Sequence, residues 1–128
     1  MKTVSDVFYQ AMSLLGYTNA QGTVDGLQSA ELLRRALAVV NQVAADLWPL
    51  EMGYEQAFEP LTAAGQAIPL SAQAVEGVMP FGAAMYLAQA EGDGANQSFF
   101  ASLYEQKRQA VRRVPKRRGD ALPSVWAD

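Results

Sequence analysis

The stretch Leu27-Gln28-Ser29-Ala30-Glu31-Leu32-Leu33-Arg34-Arg35-Ala36-Leu37-Ala38-Val39-Val40-Asn41-Gln42-Val43-Ala44-Ala45-Asp46-Leu47 decides the fold. On a period of 3.6 residues, Ala30, Leu33, Ala36, Leu37, Val40, Val43, Ala44 and Leu47 gather on one arc, with Leu32 and Val39 at its margins. An apolar face that broad contacts more than one neighbour, so the rest of the chain must supply the elements that cover it. Glu31 reaches Arg34 and Arg35 at i+3 and i+4, a pairing worth a few tenths of a kcal/mol. Pro49 lacks an N–H and disfavours helix at Trp48, which predicts the end of this helix near Leu47.

Working outward toward the N-terminus, Thr18 to Gly26 is a polar, glycine-containing loop. Before it, Thr3 and Asp6 have capping-box spacing, with Asp in place of the usual Glu. Val4, Val7, Phe8, Ala11, Met12, Leu14 and Leu15 then share one face, while Ser5, Asp6, Tyr9, Gln10 and Ser13 take the other. Gly16 supplies the left-handed residue that stops the helix, which predicts a first helix over 3–15.

Toward the C-terminus the pattern is first lost and then regained. Residues 50–70 are broken by Pro60, Gly65 and Pro69, and read either as an irregular excursion or as a short β-hairpin around Ala64-Gly65. Ser71 is a good N-cap, and Leu70 with Val75 has hydrophobic-staple spacing. A third helix over 72–90 follows, with Pro80 either kinking it or opening a second segment. Gly82, Ala83, Ala84 and Ala88 are small enough for another helix to approach closely, and Gly92-Asp93-Gly94 turns the chain. The fourth helix runs from Ala95 or Asn96 to Val114 and is stopped by Pro115. Its apolar arc is Phe99, Phe100, Leu103, Tyr104, Ala110, Val111 and Val114, with Arg108 and Arg112 pointing away. The expected fold is all-α: an antiparallel bundle of about four helices over residues 1–114 with the 50–70 excursion, then an extended, Pro-containing basic tail over 115–128.

Composition removes whole classes of function. There is no cysteine and no histidine, so disulfides, thiolate nucleophiles, zinc–sulfur sites and every serine–histidine or cysteine–histidine mechanism are excluded. Asp46, Glu51, Glu55 and Glu59 are the only carboxylates whose positions suggest convergence, and they lack metal-ligand spacing. Gly92-Asp93-Gly94 lacks the Lys-Ser/Thr of a phosphate loop. No enzyme and no cofactor is therefore expected. No apolar run approaches the roughly 18 residues that span a bilayer, and Met1 to Asp6 does not resemble a secretory leader, so a cytoplasmic protein is expected.

The net charge of −3 conceals an asymmetry. Residues 1–106 hold eleven acids and three bases, whereas 107–118 hold Lys107, Arg108, Arg112, Arg113, Lys116, Arg117 and Arg118 and no acid. Two or three such charges complement the negative end of a helix dipole, but seven exceed that need. The run has two other readings: contact with nucleic-acid phosphates, or contact with an acidic surface of a partner or a neighbouring copy. Beyond it, Pro115, Leu122, Pro123, Val125 and Trp126 either fold back on their own domain or anchor to a partner, where tryptophan is favoured. Most aromatic and methionine residues of the last two helices have core spacing. Tyr54 and Phe58 differ, because they sit in the excursion and either cover the core or meet a neighbouring subunit.

The order of several segments is familiar. Ala11-Met12-Ser13-Leu14-Leu15-Gly16-Tyr17 closes the first helix. Leu33-Arg34-Arg35-Ala36-Leu37, Val40-Asn41-Gln42-Val43 and Asp46-Leu47-Trp48 mark the second. Met79-Pro80-Phe81-Gly82-Ala83-Ala84-Met85-Tyr86-Leu87-Ala88, Gly92-Asp93, Phe99 to Tyr104, Lys107-Arg108 and Asp120-Ala121-Leu122-Pro123 follow. Together they resemble the head–tail connector (neck adaptor) proteins of tailed bacteriophages and prophages. The resemblance covers most of the chain and rests on order and spacing, since each motif alone is a generic helix pattern. It implies a virion-assembly subunit that forms a homo-oligomeric ring between a portal protein and a tail-proximal neck protein. DNA would pass through such a ring without sequence-specific binding, and no membrane would be involved. The location implied is the virion neck, after assembly in the host cytoplasm. The alternative is a small nucleic-acid-binding protein using the basic fourth helix, although no helix-turn-helix signature accompanies it.

Overall fold

The computed structural model describes residues 2–16 and 30–113. The described residues form five helices: α1 (Val4–Leu15), α2 (Ala30–Met52), α3 (Ala72–Gly77), α4 (Met79–Ala90) and α5 (Gly94–Arg113). The protein is all-α, and no strand occurs among these residues. The tail expected over 115–128, with Val114, lies outside the described residues.

The start of α1 is closed from two sides. The capping box forms as the sequence predicts: Thr3 Oγ1 accepts from the Asp6 N–H at 3.3 Å, and Asp6 Oδ2 accepts from the Thr3 N–H at 2.9 Å. The Val4 and Ser5 N–H groups, which a helix cannot satisfy internally, donate to the carbonyls of Gln66 and Ala64 at 3.2 and 3.0 Å. At the other end Gly16 adopts φ 75° and its N–H returns to the Met12 and Ser13 carbonyls. Val4, Val7, Phe8, Ala11 and Leu15 are buried, whereas Leu14 falls at the exposed edge of the predicted face.

Helix α2 runs through Pro49 to Met52, past the end that the proline predicts. Proline removes the bond to the carbonyl of Ala45, but Ala45 is on the exposed side of the helix, where water can serve that group. The stop comes instead at Gly53, whose φ is 82° and whose N–H donates to the Pro49 carbonyl at 3.0 Å.

Between α2 and α3 the chain doubles back along α2. It then turns at Ala63–Gln66, where the Gln66 N–H donates to Ala63. Its returning limb pairs with the N-terminus rather than with itself: Thr3 and Ala67 form an isolated antiparallel bridge, and the Ile68 N–H donates to the Lys2 carbonyl at 3.1 Å. The reading as an irregular excursion is the one observed. The outgoing limb is already committed to side chains of α2, so it is not available as a hairpin partner.

Pro80 opens a second helical segment. The chain breaks at Val78 (φ −123°, ψ −48°), and Pro80 occupies the first turn of α4, where a missing N–H costs nothing. Ser71 caps α3, with Oγ accepting from the Ala74 N–H at 3.1 Å. Helix α4 touches all four other helices and is buried almost all round through Met79, Pro80, Gly82, Ala83, Ala84, Leu87 and Ala88. At Gly82 an added Cβ would lie 2.7 Å from the Tyr104 ring and 3.0 Å from Val43, so α2, α4 and α5 meet there with no space to spare. Asp93 starts α5 by accepting from the Asn96 N–H at 3.3 Å. Helices α2 and α5 are parallel to each other: Val43 and Tyr104 flank Gly82, and one turn further along both helices Asp46 meets Arg108.

Candidate functional site

Three side chains on α2 hold the excursion in place. The Asn41 carboxamide accepts from the Leu61 N–H at 2.7 Å and donates to the Leu61 carbonyl at 2.9 Å, as a strand partner would. The Trp48 indole N–H donates to the Gln56 carbonyl at 2.6 Å. Glu51 accepts from the N–H of Ser71 at 2.9 Å and from its hydroxyl, which ties the start of α3 to the end of α2. Asn41 and Trp48 are seven residues apart, so they project from one side of the helix toward the same segment. The excursion is therefore fixed through its backbone, and several of its side chains are left facing outward.

Those outward side chains are acidic and apolar. Tyr54 is 87% exposed and Met52 41%, and Glu55 and Glu59 are exposed as well. Among the described residues no cation pairs with Glu55 or Glu59. Phe58 turns the other way: its ring stands 5.5 Å from that of Trp48, tilted by 55°, and covers the core. Of the two aromatics read either as core cover or as subunit contacts, Tyr54 is presented to solvent and Phe58 packs on the core.

The basic segment divides as well. Arg108 does not point away from the bundle. It lies one turn beyond Tyr104 on the stripe Phe100–Tyr104–Arg108–Val111, and its Nε donates to Asp46 Oδ2 at 2.8 Å. The Tyr104 hydroxyl donates to the same oxygen at 2.5 Å, and Glu105 stands 3.9 Å from Arg108. Partial burial alone would lower the Arg108 pKa, but the Asp46 charge and hydrogen bond outweigh it and hold the guanidinium further above its usual range. Burial, then the bond to Asp46, pushes the Tyr104 phenol well above the ordinary tyrosine value. Lys107 places its ammonium 4.5 Å from the centroid of Phe81, whose ring neighbours Phe100 at 6.4 Å. Two of the seven cations are thereby engaged within the fold. Arg112 and Arg113 belong to the last turn of α5. Lys116, Arg117 and Arg118 lie outside the described residues, as do Pro115, Leu122, Pro123, Val125 and Trp126.

The structure also separates the carboxylates that might have converged. Asp46 faces α5 and Glu51 faces Ser71, and among the described residues no group of three acids is placed to hold a metal. No helix among them is long and apolar enough to cross a membrane. Sequence reasoning missed the exposure of Phe99, which is 57% accessible and meets Phe100 edge-on at 5.0 Å. The signal was present: Phe100, Tyr104 and Val111 already complete a stripe at helical spacing, and Phe99 lies about 100° away from its start.

The fold and surface define an all-α protein in which side chains of α2 hold a segment with exposed acidic and aromatic residues. Comparison with family models, with curated proteins and with solved structures finds no match to this chain.

Proposed function

We propose that this protein is a structural assembly subunit, a head–tail connector that forms a ring between portal and tail and surrounds the DNA passage. The observation that supports this reading most is the pairing of Tyr54 exposure with the three α2 side chains that fix its segment. A large aromatic held out on a rigid backbone loses little conformational entropy when a neighbour covers it, which is what a subunit contact requires. The resemblance to connector proteins along the sequence supplies the rest. In this reading the neighbouring copy covers Tyr54 and Met52, the portal-facing contact is made through the tail residues Pro115, Leu122, Pro123, Val125 and Trp126, and DNA passes without base contacts.

The nucleic-acid-binding alternative draws on the same cations, but Arg108 and Lys107 are occupied by Asp46 and Phe81. Sedimentation of the full chain over a hundredfold range of concentration tests the proposal. Closed oligomers are expected, and Tyr54→Ala should weaken them without changing the thermal midpoint at concentrations where both chains are monomeric. A monomer at every concentration that instead binds duplex DNA, with affinity falling steeply as salt rises, would support the alternative.

A further inference from the structure

We infer that subunits join head to tail, with Tyr54 and Glu55 of one copy seated on the Phe99, Leu103 and Lys107 stripe of α5 in the next. This contact rests on the function proposed above and gives Tyr54 its covering surface.

The receiving surface is a chain of contacts between α4 and α5. Phe99 stands edge-on to Phe100 at 5.0 Å, Phe100 is 6.4 Å from Phe81, and the Lys107 ammonium lies 4.5 Å from the Phe81 centroid. Phe99, Leu103 and Lys107 follow one another at i+4, so they line one side of α5. Phe99 is exposed, and Leu103, Lys107 and Phe81 are half-buried. Among the described residues no carboxylate is within ion-pair distance of Lys107. The Phe81 ring takes one side of the ammonium and leaves N–H donors for an acceptor. This surface is apolar with one unneutralised cation. Tyr54 and Glu55 are its complement, an exposed aromatic next in the chain to an exposed acid that no described cation pairs.

The two surfaces point in opposite directions. Asp46 faces α5, and Trp48, two positions on, is turned from it by about 200° around α2. The Trp48 indole holds the Gln56 carbonyl, so Tyr54 and Glu55, just before Gln56, lie on the side of α2 away from α5. Arg108 faces α2, and Phe99, nine positions earlier, is turned from it by about 180° around α5. A two-fold contact needs both surfaces on one face. Surfaces on opposite sides of the α2–α5 pair instead join head to tail, and such contacts close into a ring when the rotation between copies allows.

Charge exchange in the full chain, read by sedimentation, tests this. Glu55→Lys and Lys107→Glu each turn an attraction into a repulsion and should each raise the concentration of half-assembly about fivefold or more. For Glu55→Lys this is opposite to the effect of net charge alone, because the substitution moves the chain's −3 toward zero and eases repulsion between copies. The double variant rebuilds the pair at every contact, as does an equal mixture of the two single variants, and both should assemble near the wild-type concentration. Phe99→Ala and Tyr54→Ala should weaken assembly less than additively when combined, since they remove one contact. Closed wild-type oligomers that Glu55→Lys leaves intact or strengthens, or that the double variant and the mixture fail to recover, would overturn the inference and leave the assembly role standing. A wild type that stays monomeric at every concentration would overturn that role, and the head-to-tail contact with it.

Discussion

Gly82→Ala tests the packing at the centre of the bundle. In an ordinary helix this change stabilises by about 0.5–1 kcal/mol, because alanine loses less backbone entropy than glycine. Here the new methyl would stand 2.7 and 2.9 Å from two atoms of the Tyr104 ring and 3.0 Å from Val43. Carbon atoms in contact prefer about 3.5–4.0 Å, so the overlap is most of an ångström. The ring cannot retreat without cost, because Tyr104 is buried and its hydroxyl is bonded to Asp46 at 2.5 Å. Overpacking of a filled core costs about 1–3 kcal/mol, which leaves a net loss of about 1–2 kcal/mol after the gain in propensity. For a domain of this size that is a fall in Tm of about 4–7 °C. Calorimetry of Gly82→Ala beside Gly77→Ala, where nothing lies within 4 Å of the added carbon, gives the comparison. In a Tyr104→Leu background the penalty should shrink, with a coupling of about 1 kcal/mol. If Gly82→Ala raised Tm as much as Gly77→Ala, α4 would not meet α2 and α5 as described.

Three further outcomes follow from the polar contacts. Asp46→Ala leaves the Tyr104 hydroxyl and Arg108 without their acceptor and should cost about 1–3 kcal/mol in urea denaturation, more than Tyr104→Phe, at about 0.5–1.5 kcal/mol. Because the folded protein raises the Tyr104 pKa, the unfolded chain releases that proton first; stability is whole below about pH 10 and falls by about 1.4 kcal/mol per unit above it. Chemical denaturation should show a loss of about 1.4 kcal/mol in total between pH 9 and 11 in the wild type, steepening toward that slope at the upper end, and Tyr104→Phe should lose that component. Asn41→Ala strips Leu61 of both its backbone partners and should cost about 1–3 kcal/mol. Hydrogen exchange should show the Leu61 amide losing protection before the amides of α4 do.

Helix existence was legible in the chain because periodic apolar residues and caps act locally. Thr3 with Asp6, Gly16 and Ser71 each do in the structure what their neighbours in sequence require. What escaped the sequence depended on facing. Pro49 is tolerated because the carbonyl it orphans is on the wet side of α2, a fact about the assembled bundle. Helical spacing alone puts Arg108 in solvent, yet Asp46, remote in sequence, faces it from a parallel helix. The return limb of the excursion found Thr3 as its partner, and no local pattern distinguishes that pairing from a hairpin. Of the candidate contact residues, Tyr54 could be singled out by its place in an irregular segment, but only the ring of Trp48 reveals why Phe58 is not like it.

Electron microscopy of the concentrated full chain, compared with Tyr54→Ala under the same conditions, bears most directly on the assembly role. Closed rings with an open centre in the wild type, and their loss in the variant, are the predicted result. Separate single molecules in both samples, or identical rings in both, would contradict it.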